Sequence, residues 1–251
     1  MSDHHFRIGQ IVPSSNTTME TEVPAMLRAR EVVAPERFTF HSSRMRMRQV
    51  TAEELAAMNV EADRCAAELA DADVDVLGYA CLVAIMSVGT GYHYQSERRL
   101  HEVTVEEGHP APVVTSAGAL VEGLRALQAK KVAMVAPYMK PLAQLVADYV
   151  EAEGIEVVDL VALEIPDNLE VGRRDPLALA SIYRDLSLTG ADALVLSSCV
   201  QMPSLAAITV VEHECGLPVV SAAVCTVHQM LRALDLDTHV PGAGALLSGR
   251  Y

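Results

Sequence analysis

Two of the five cysteines in this 251-residue chain stand where a thiol could do chemistry. Cys81 ends the run Asp75-Val-Leu-Gly-Tyr-Ala-Cys81-Leu-Val, and Cys199 ends Asp192-Ala-Leu-Val-Leu-Ser-Ser-Cys199-Val-Gln. An unbroken apolar run of this length reads as a strand buried on both faces, as in parallel sheets. The carboxyl end of such a strand is where open α/β sheets hold their ligands. A thiol there is a nucleophile or base only as thiolate, and its ordinary pKa of about 8.5 falls near a helix N-terminus. Both cysteines are expected just before a helix, so free amides of that turn would point into the same crevice. A lone cysteine at a strand end is usually packing, but two at equivalent places favour a site with one thiol on each side. Cys65, Cys215 and Cys225 fall within helical patterns and read as core filler.

The elements that must position these thiols repeat. Arg7 to Pro13 reads as a strand, and Thr17 with Glu20 as a capping box opening a helix to about Arg28. Arg37 to His41 reads as a second strand. Ser42 to Gln49 reads as a polar, flexible link long enough to act as a lid, and Thr51 to Ala70 as a helix. After the Cys81 strand come a charged helix ended by Gly108 and Pro110, a strand at Pro112, and a helix from Ala117 to Leu127. The layout then restarts: a strand from Lys131 to Pro137, a helix from Pro141 to Glu153, a strand from Glu156 to Leu163, a helix from Pro176 to Leu188, and the Cys199 strand. Pro203 suits the first turn of the next helix. Pro218-Val-Val-Ser-Ala-Ala repeats Pro112-Val-Val-Thr-Ser-Ala.

This is a duplication with a period of about 120 residues, too long for a solenoid repeat. The expected fold is α/β, with two homologous domains, each a small parallel sheet flanked by helices, and the site in the crevice between them. Residues 1–116 with 220–251 are expected to form one domain, the last helix packing back, and residues 117–219 the other.

Composition limits the function. The chain is 51% hydrophobic, so a packed α/β protein is expected rather than disorder. The formal charge of −14, with no basic face beyond Arg44, Arg46 and Arg48, makes nucleic acid and acidic membranes poor partners. No apolar run reaches the length of a membrane helix, and the first residues lack a signal-peptide pattern, so a cytoplasmic protein is expected. The odd cysteine count, the absence of C-x-x-C and the lack of histidine ligand spacing argue against disulfides and metal. Gly89-Thr-Gly91 is too short to be a nucleotide loop. A small dicarboxylate fits what remains: the amides of Leu82, Val83, Val200 and Gln201 could hold it without a cationic clamp. Asn16, Tyr138 and Asn168 lie at loop ends on the same face and bring further donors.

The segments Ile11-Val-Pro-Ser-Ser-Asn-Thr-Thr-Met-Glu-Thr-Glu22, Cys81-Leu-Val, Ala136-Pro-Tyr138, Pro166-Asp-Asn168 and Ser198-Cys-Val-Gln201 resemble the maleate cis-trans isomerases. These belong to the cofactor-independent aspartate/glutamate racemase superfamily, which also holds the arylmalonate decarboxylases. The resemblance spans nearly the whole chain. Its two-cysteine layout marks the superfamily, and Pro-Ser-Ser-Asn-Thr-Thr-Met-Glu the isomerases.

The resemblance implies Cys81 as nucleophile and Cys199 as proton donor. Asn16, Tyr138 and Asn168, with the main-chain amides after each cysteine, would then bind the carboxylates. It also implies a homodimer and no cofactor. Two rivals stay open at this point. A two-thiol amino-acid racemase would need a subsite for an ammonium group, and a diacid sensor would bind without turnover. A single-thiol arylmalonate decarboxylase would want an aryl pocket.

Overall fold

The computed structural model describes residues 5–251. In the first half the elements are β1 (His5–Pro13), α1 (Met19–Arg30), β2 (Arg37–Met45), α2 (Ala52–Ala70) and β3 (Val76–Tyr79). They continue as α3 (Leu82–Met86), α4 (Tyr92–Glu106), β4 (Val113–Thr115) and α5 (Ser116–Ala126). The second half holds β5 (Lys131–Ala136), α6 (Lys140–Ala152), β6 (Glu156–Ala162), α7 (Asn168–Gly172) and α8 (Leu179–Ile182). It closes with β7 (Ala193–Ser197), α9 (Leu205–Cys215), β8 (Val219–Ser221) and α10 (Ala222–Ala233).

The strands form two four-stranded parallel sheets, ordered β2-β1-β3-β4 and β6-β5-β7-β8. The second order repeats the first element for element, which is the duplication seen in the sequence. Val76 to Tyr79 and Ala193 to Ser197 are buried throughout, as a strand covered by helices on both faces must be. In each sheet the cysteine-bearing strand is an inner one, so its end is fixed by neighbours on both sides.

The last helix returns to the first half. α10 packs on α5, α1, β3 and β4. It comes so close to β3 that a Cβ added at Gly78 would lie 2.1 Å from Met230 Cε. Met19 Cε, at 3.1 Å, is the next nearest atom, so a side chain at this position would have to displace two methionine ends. α5 packs against α10, α3 and β4.

Three local expectations are corrected. β2 runs on to Met45 because it pairs with all nine residues of β1, ending Pro13↔Met45. Ser43, Met45 and Met47 point inward while Arg44, Arg46 and Arg48 point out, an alternation of period two that belongs to extended chain. The expected link is therefore half strand. The capping box at Thr17 does not form: the side-chain oxygen of Asn16 accepts from the amides of Thr18 and Met19, both at 3.0 Å, and Glu20 pairs with Arg44. The expected helix over 176–188 is broken into 3-10 turns at 176–178 and 183–185 around the one-turn α8.

Candidate active site

The two cysteine strands end facing each other. Beyond β3, the Ala80 amide bonds Ile11 O at 2.9 Å, and Cys81 follows as the N-cap of α3 with φ +105° and ψ 70°. A side-chain-bearing residue seldom adopts this conformation, and such strain collects at functional sites. It turns the chain sharply from strand into helix. The first bond onto the cap carbonyl is Ala84 N to Cys81 O at 3.1 Å, so the amides of Leu82 and Val83 are the orphan donors of a helix start.

Cys199 is reached differently. The Ser198 amide bonds Val135 O at 3.0 Å, and Met202 N closes a turn onto Cys199 O at 3.2 Å. Ser197 Oγ donates to Cys199 O at 2.8 Å. α9 starts only at Leu205, so Cys199 sits on a turn rather than at a helix start, correcting the expectation. Glu22 of α1 takes over the capping of α9, its Oε1 accepting from Ser204 N at 2.6 Å and Leu205 N at 2.7 Å. Burial pushes the Glu22 carboxyl up, against the pull of these amides.

All nine residues singled out in the sequence line one pocket: Asn16, Cys81, Leu82, Val83, Tyr138, Asn168, Cys199, Val200 and Gln201. Pro13, Met47 and Val50 complete its wall. The volume is about 20 Å³, barely room for one water. No charged side chain lines it among the described residues.

The donors differ in how they are committed. Asn16 spends its oxygen on the start of α1 and keeps its Nδ2 for the pocket. Asn168 gives its Nδ2 to Ser15 Oγ at 2.7 Å. Tyr138 is buried, its hydroxyl 3.5 Å from Ser198 O and hydrogen-bonded to the Cys199 sulfur. Burial, with both cysteines nearby, holds its phenol well above the usual range, so it stays a donor.

The side chain of Gln201 was not foreseen. Its Oε1 accepts from Thr17 N at 2.9 Å, and its Nε2 donates to Ser15 O at 3.0 Å and Asn168 O at 2.8 Å. Its own carbonyl accepts from Thr18 Oγ1 at 2.7 Å. One glutamine thus ties the loop before α1 to α7. Gly172 makes room for it, since an added Cβ would lie 2.4 Å from Gln201 Nε2. Met47, Val50 and Glu22 also went unread: the first two carry no chemical signature, and a lone glutamate on a helix does not announce a distant partner.

Burial holds both thiols in the protonated form at neutral pH. Burial pushes Cys81 up to about 12, opposed by the Ala84 amide and reinforced by Cys199. Burial also raises Cys199, while Tyr138 and the amides of Gln201 and Met202 pull the other way. The expectation of a thiol pKa lowered by a helix start is overturned here: a few amides do not offset the loss of solvent around the sulfur. The arrangement offers two thiols, a phenol donor and uncharged amides in a dry slot.

Known proteins share this fold and much of this sequence. The family model for arylmalonate decarboxylase matches residues 8–247. A maleate isomerase from Pseudomonas putida is 65% identical over 246 residues, covering 98% of each chain. The crystal structure of a variant of the Pseudomonas putida S16 maleate isomerase with maleate is 62% identical, with a TM-score of 0.97, covering 98% of this chain and 99% of that one. A Nocardia farcinica maleate cis-trans isomerase mutant with a covalently bound succinylcysteine intermediate is 50% identical, with a TM-score of 0.94, covering 98% of this chain and 100% of that one. The chain belongs to the arylmalonate decarboxylase family and, within it, to the maleate isomerases.

Proposed function

We propose that this enzyme converts maleate to fumarate through a succinyl adduct on Cys81, with Cys199 as proton donor. The observation that carries the reading is the pairing of two thiols across one closed pocket whose other polar groups are uncharged donors. The reading is supported by the succinylcysteine held by the Nocardia farcinica relative and the maleate held by the Pseudomonas putida S16 relative.

The Cys81 thiolate forms a bond to one alkene carbon, and the π electrons pass toward the neighbouring carboxylate as an enediolate. Cys199 S–H protonates the second alkene carbon, leaving a single C–C bond that rotates. The Cys199 thiolate then removes that proton, the double bond re-forms trans, and the S–C bond to Cys81 breaks. Covalent addition replaces one high rotational barrier by two lower steps. Asn16 Nδ2, the Tyr138 hydroxyl and the amides of Leu82, Val83, Val200 and Gln201 face the growing oxyanion, where fixed donors in a dry site act most strongly. Asn168, whose Nδ2 rests on Ser15, completes the carboxylate pocket.

A racemase needs an acceptor for an ammonium group, and no acidic side chain lines the pocket among the described residues. We further propose the domain division expected from the sequence, supported at its C-terminal end by the return of α10 to β3 and β4. We also propose a homodimer working without a cofactor, as the family resemblance implies, and a cytoplasmic location. Intact-protein mass with maleate tests the assignment. A succinyl-sized adduct and fumarate are expected from wild type. Cys81→Ala should give neither, and Cys199→Ala should lose roughly a hundredfold to ten-thousandfold in turnover. An adduct that survives Cys81→Ala sinks the assignment.

A further inference from the structure

The segment Arg46 to Val50 has two faces. Met47 and Val50 line the thiol pocket, while Arg46 and Arg48 point outward into a second cavity of about 750 Å³. That cavity is closed by Glu54, Ala57, Val60 and Glu61 of α2. Its two carboxylates are already engaged. Glu54 accepts from the amides of Gln49 at 2.9 Å and Arg48 at 2.6 Å, and these, with the nearby charges of Arg48 and Arg46, hold it below the usual carboxylate range. Glu61 pairs with Arg64 at 2.9 Å. Arg44, one step back on the same strand edge, is paired with Glu20. Among the described residues, no carboxylate lies within 4.0 Å of the Arg46 or Arg48 guanidinium.

Two cations with no direct carboxylate partner, on the outer side of a pocket wall, are conspicuous in a chain of net charge −14, and they outnumber Glu54, the one lining carboxylate without an arginine of its own. A dianion approaching such a protein is repelled over a Debye length of about 8 Å at physiological salt. The pocket itself carries no cation to reverse that. We propose that Arg46 and Arg48 form a cationic antechamber that gathers small dicarboxylates in front of the thiol pocket and sets the enzyme's preference for dianions. This rests on the isomerase reading above. Because the arginines face away from the thiols, they act on capture and not on the covalent steps. Their loss raises KM and leaves kcat alone, the pattern of an attraction felt equally in the bound ground state and the transition state.

The experiment measures kcat and kcat/KM for maleate against ionic strength in wild type, R46Q/R48Q, R46K/R48K and R250Q. Arg250 lines a different cavity, with Thr209 and His239, and its variant shows what losing one positive charge elsewhere does, half the change in R46Q/R48Q. Electrostatic focusing of this kind changes association by about tenfold or more at low salt. Wild-type kcat/KM is expected to fall as salt is added. R46Q/R48Q should show about a tenfold lower kcat/KM at low salt, kcat within about twofold, and a slope that is flat or reversed, because only the repulsive net charge remains. R46K/R48K should restore the slope, and R250Q should match wild type. Wild-type behaviour in R46Q/R48Q, an equal effect from R250Q, or a loss confined to kcat that lysine does not restore would overturn the antechamber alone. No fumarate from wild type at any salt overturns the isomerase reading, and this inference with it.

Discussion

At the scale of the residue, the site depends on how two thiols are solvated. Cys81 adopts a left-handed backbone conformation that costs about 1–3 kcal/mol, and it is held there by β3 behind it and α3 ahead. Its thiol lies at about 12, so at neutral pH the resting group is protonated and the reactive thiolate is scarce. The thiolate fraction grows tenfold per pH unit below the pKa. Cys199 is also raised by burial and keeps its proton as a donor. We therefore expect kcat/KM for maleate to climb between about pH 6 and about pH 9. A pH-rate profile that is level or falling over that window would contradict a protonated resting Cys81.

At the scale of the element, helix ends in one half are completed by side chains from elsewhere in the fold. The start of α1 is capped by Asn16, and its loop is held by Gln201 from beyond β7. The start of α9 is capped by Glu22 of α1. Sequence placed helices at these points but assigned the first cap to Thr17 and Glu20. A local box satisfies amides only if the chain turns the right way, and here the tertiary partner of Thr18 is the Gln201 carbonyl. Removing a buried acceptor from two amides costs about 1–3 kcal/mol. Glu22→Ala should lower the unfolding free energy by that amount, read as a lower denaturant midpoint with an unchanged slope, and Glu22→Gln, which keeps one oxygen, should recover part of it. A Glu22→Ala midpoint equal to wild type would show that this carboxylate does not hold the halves together.

At the scale of the molecule, two copies of one sheet topology face each other, and each supplies a thiol from an inner strand. Gln49 and Asp167 form an antiparallel bridge, joining the wall segment of the first half to the N-cap of α7 in the second. With about 20 Å³ of free volume, the pocket is too narrow for a dicarboxylate as it stands, and we expect the Gln49–Asp167 contact to part when one binds. The homodimer proposed from the resemblance is expected to sediment at about twice the 27.0 kDa of one chain. A species of single-chain mass across the working concentration range would remove it.

The duplication, the parallel class and the pairing of Cys81 with Cys199 were legible from sequence because each rests on local pattern: apolar runs, turn residues and a period that repeats. The donors Asn16, Tyr138 and Asn168 were legible as types at loop ends. Their commitments were not, because a hydrogen bond spanning 153 residues, as from Asn168 to Ser15, leaves no trace in spacing. The thiol protonation state also belongs to tertiary structure alone. A helix start can be read from sequence, but the desolvation that outweighs it depends on which side chains close over the sulfur. Met47 and Val50 line the thiol pocket here because β2 extends to Met45 and so carries the following segment to it.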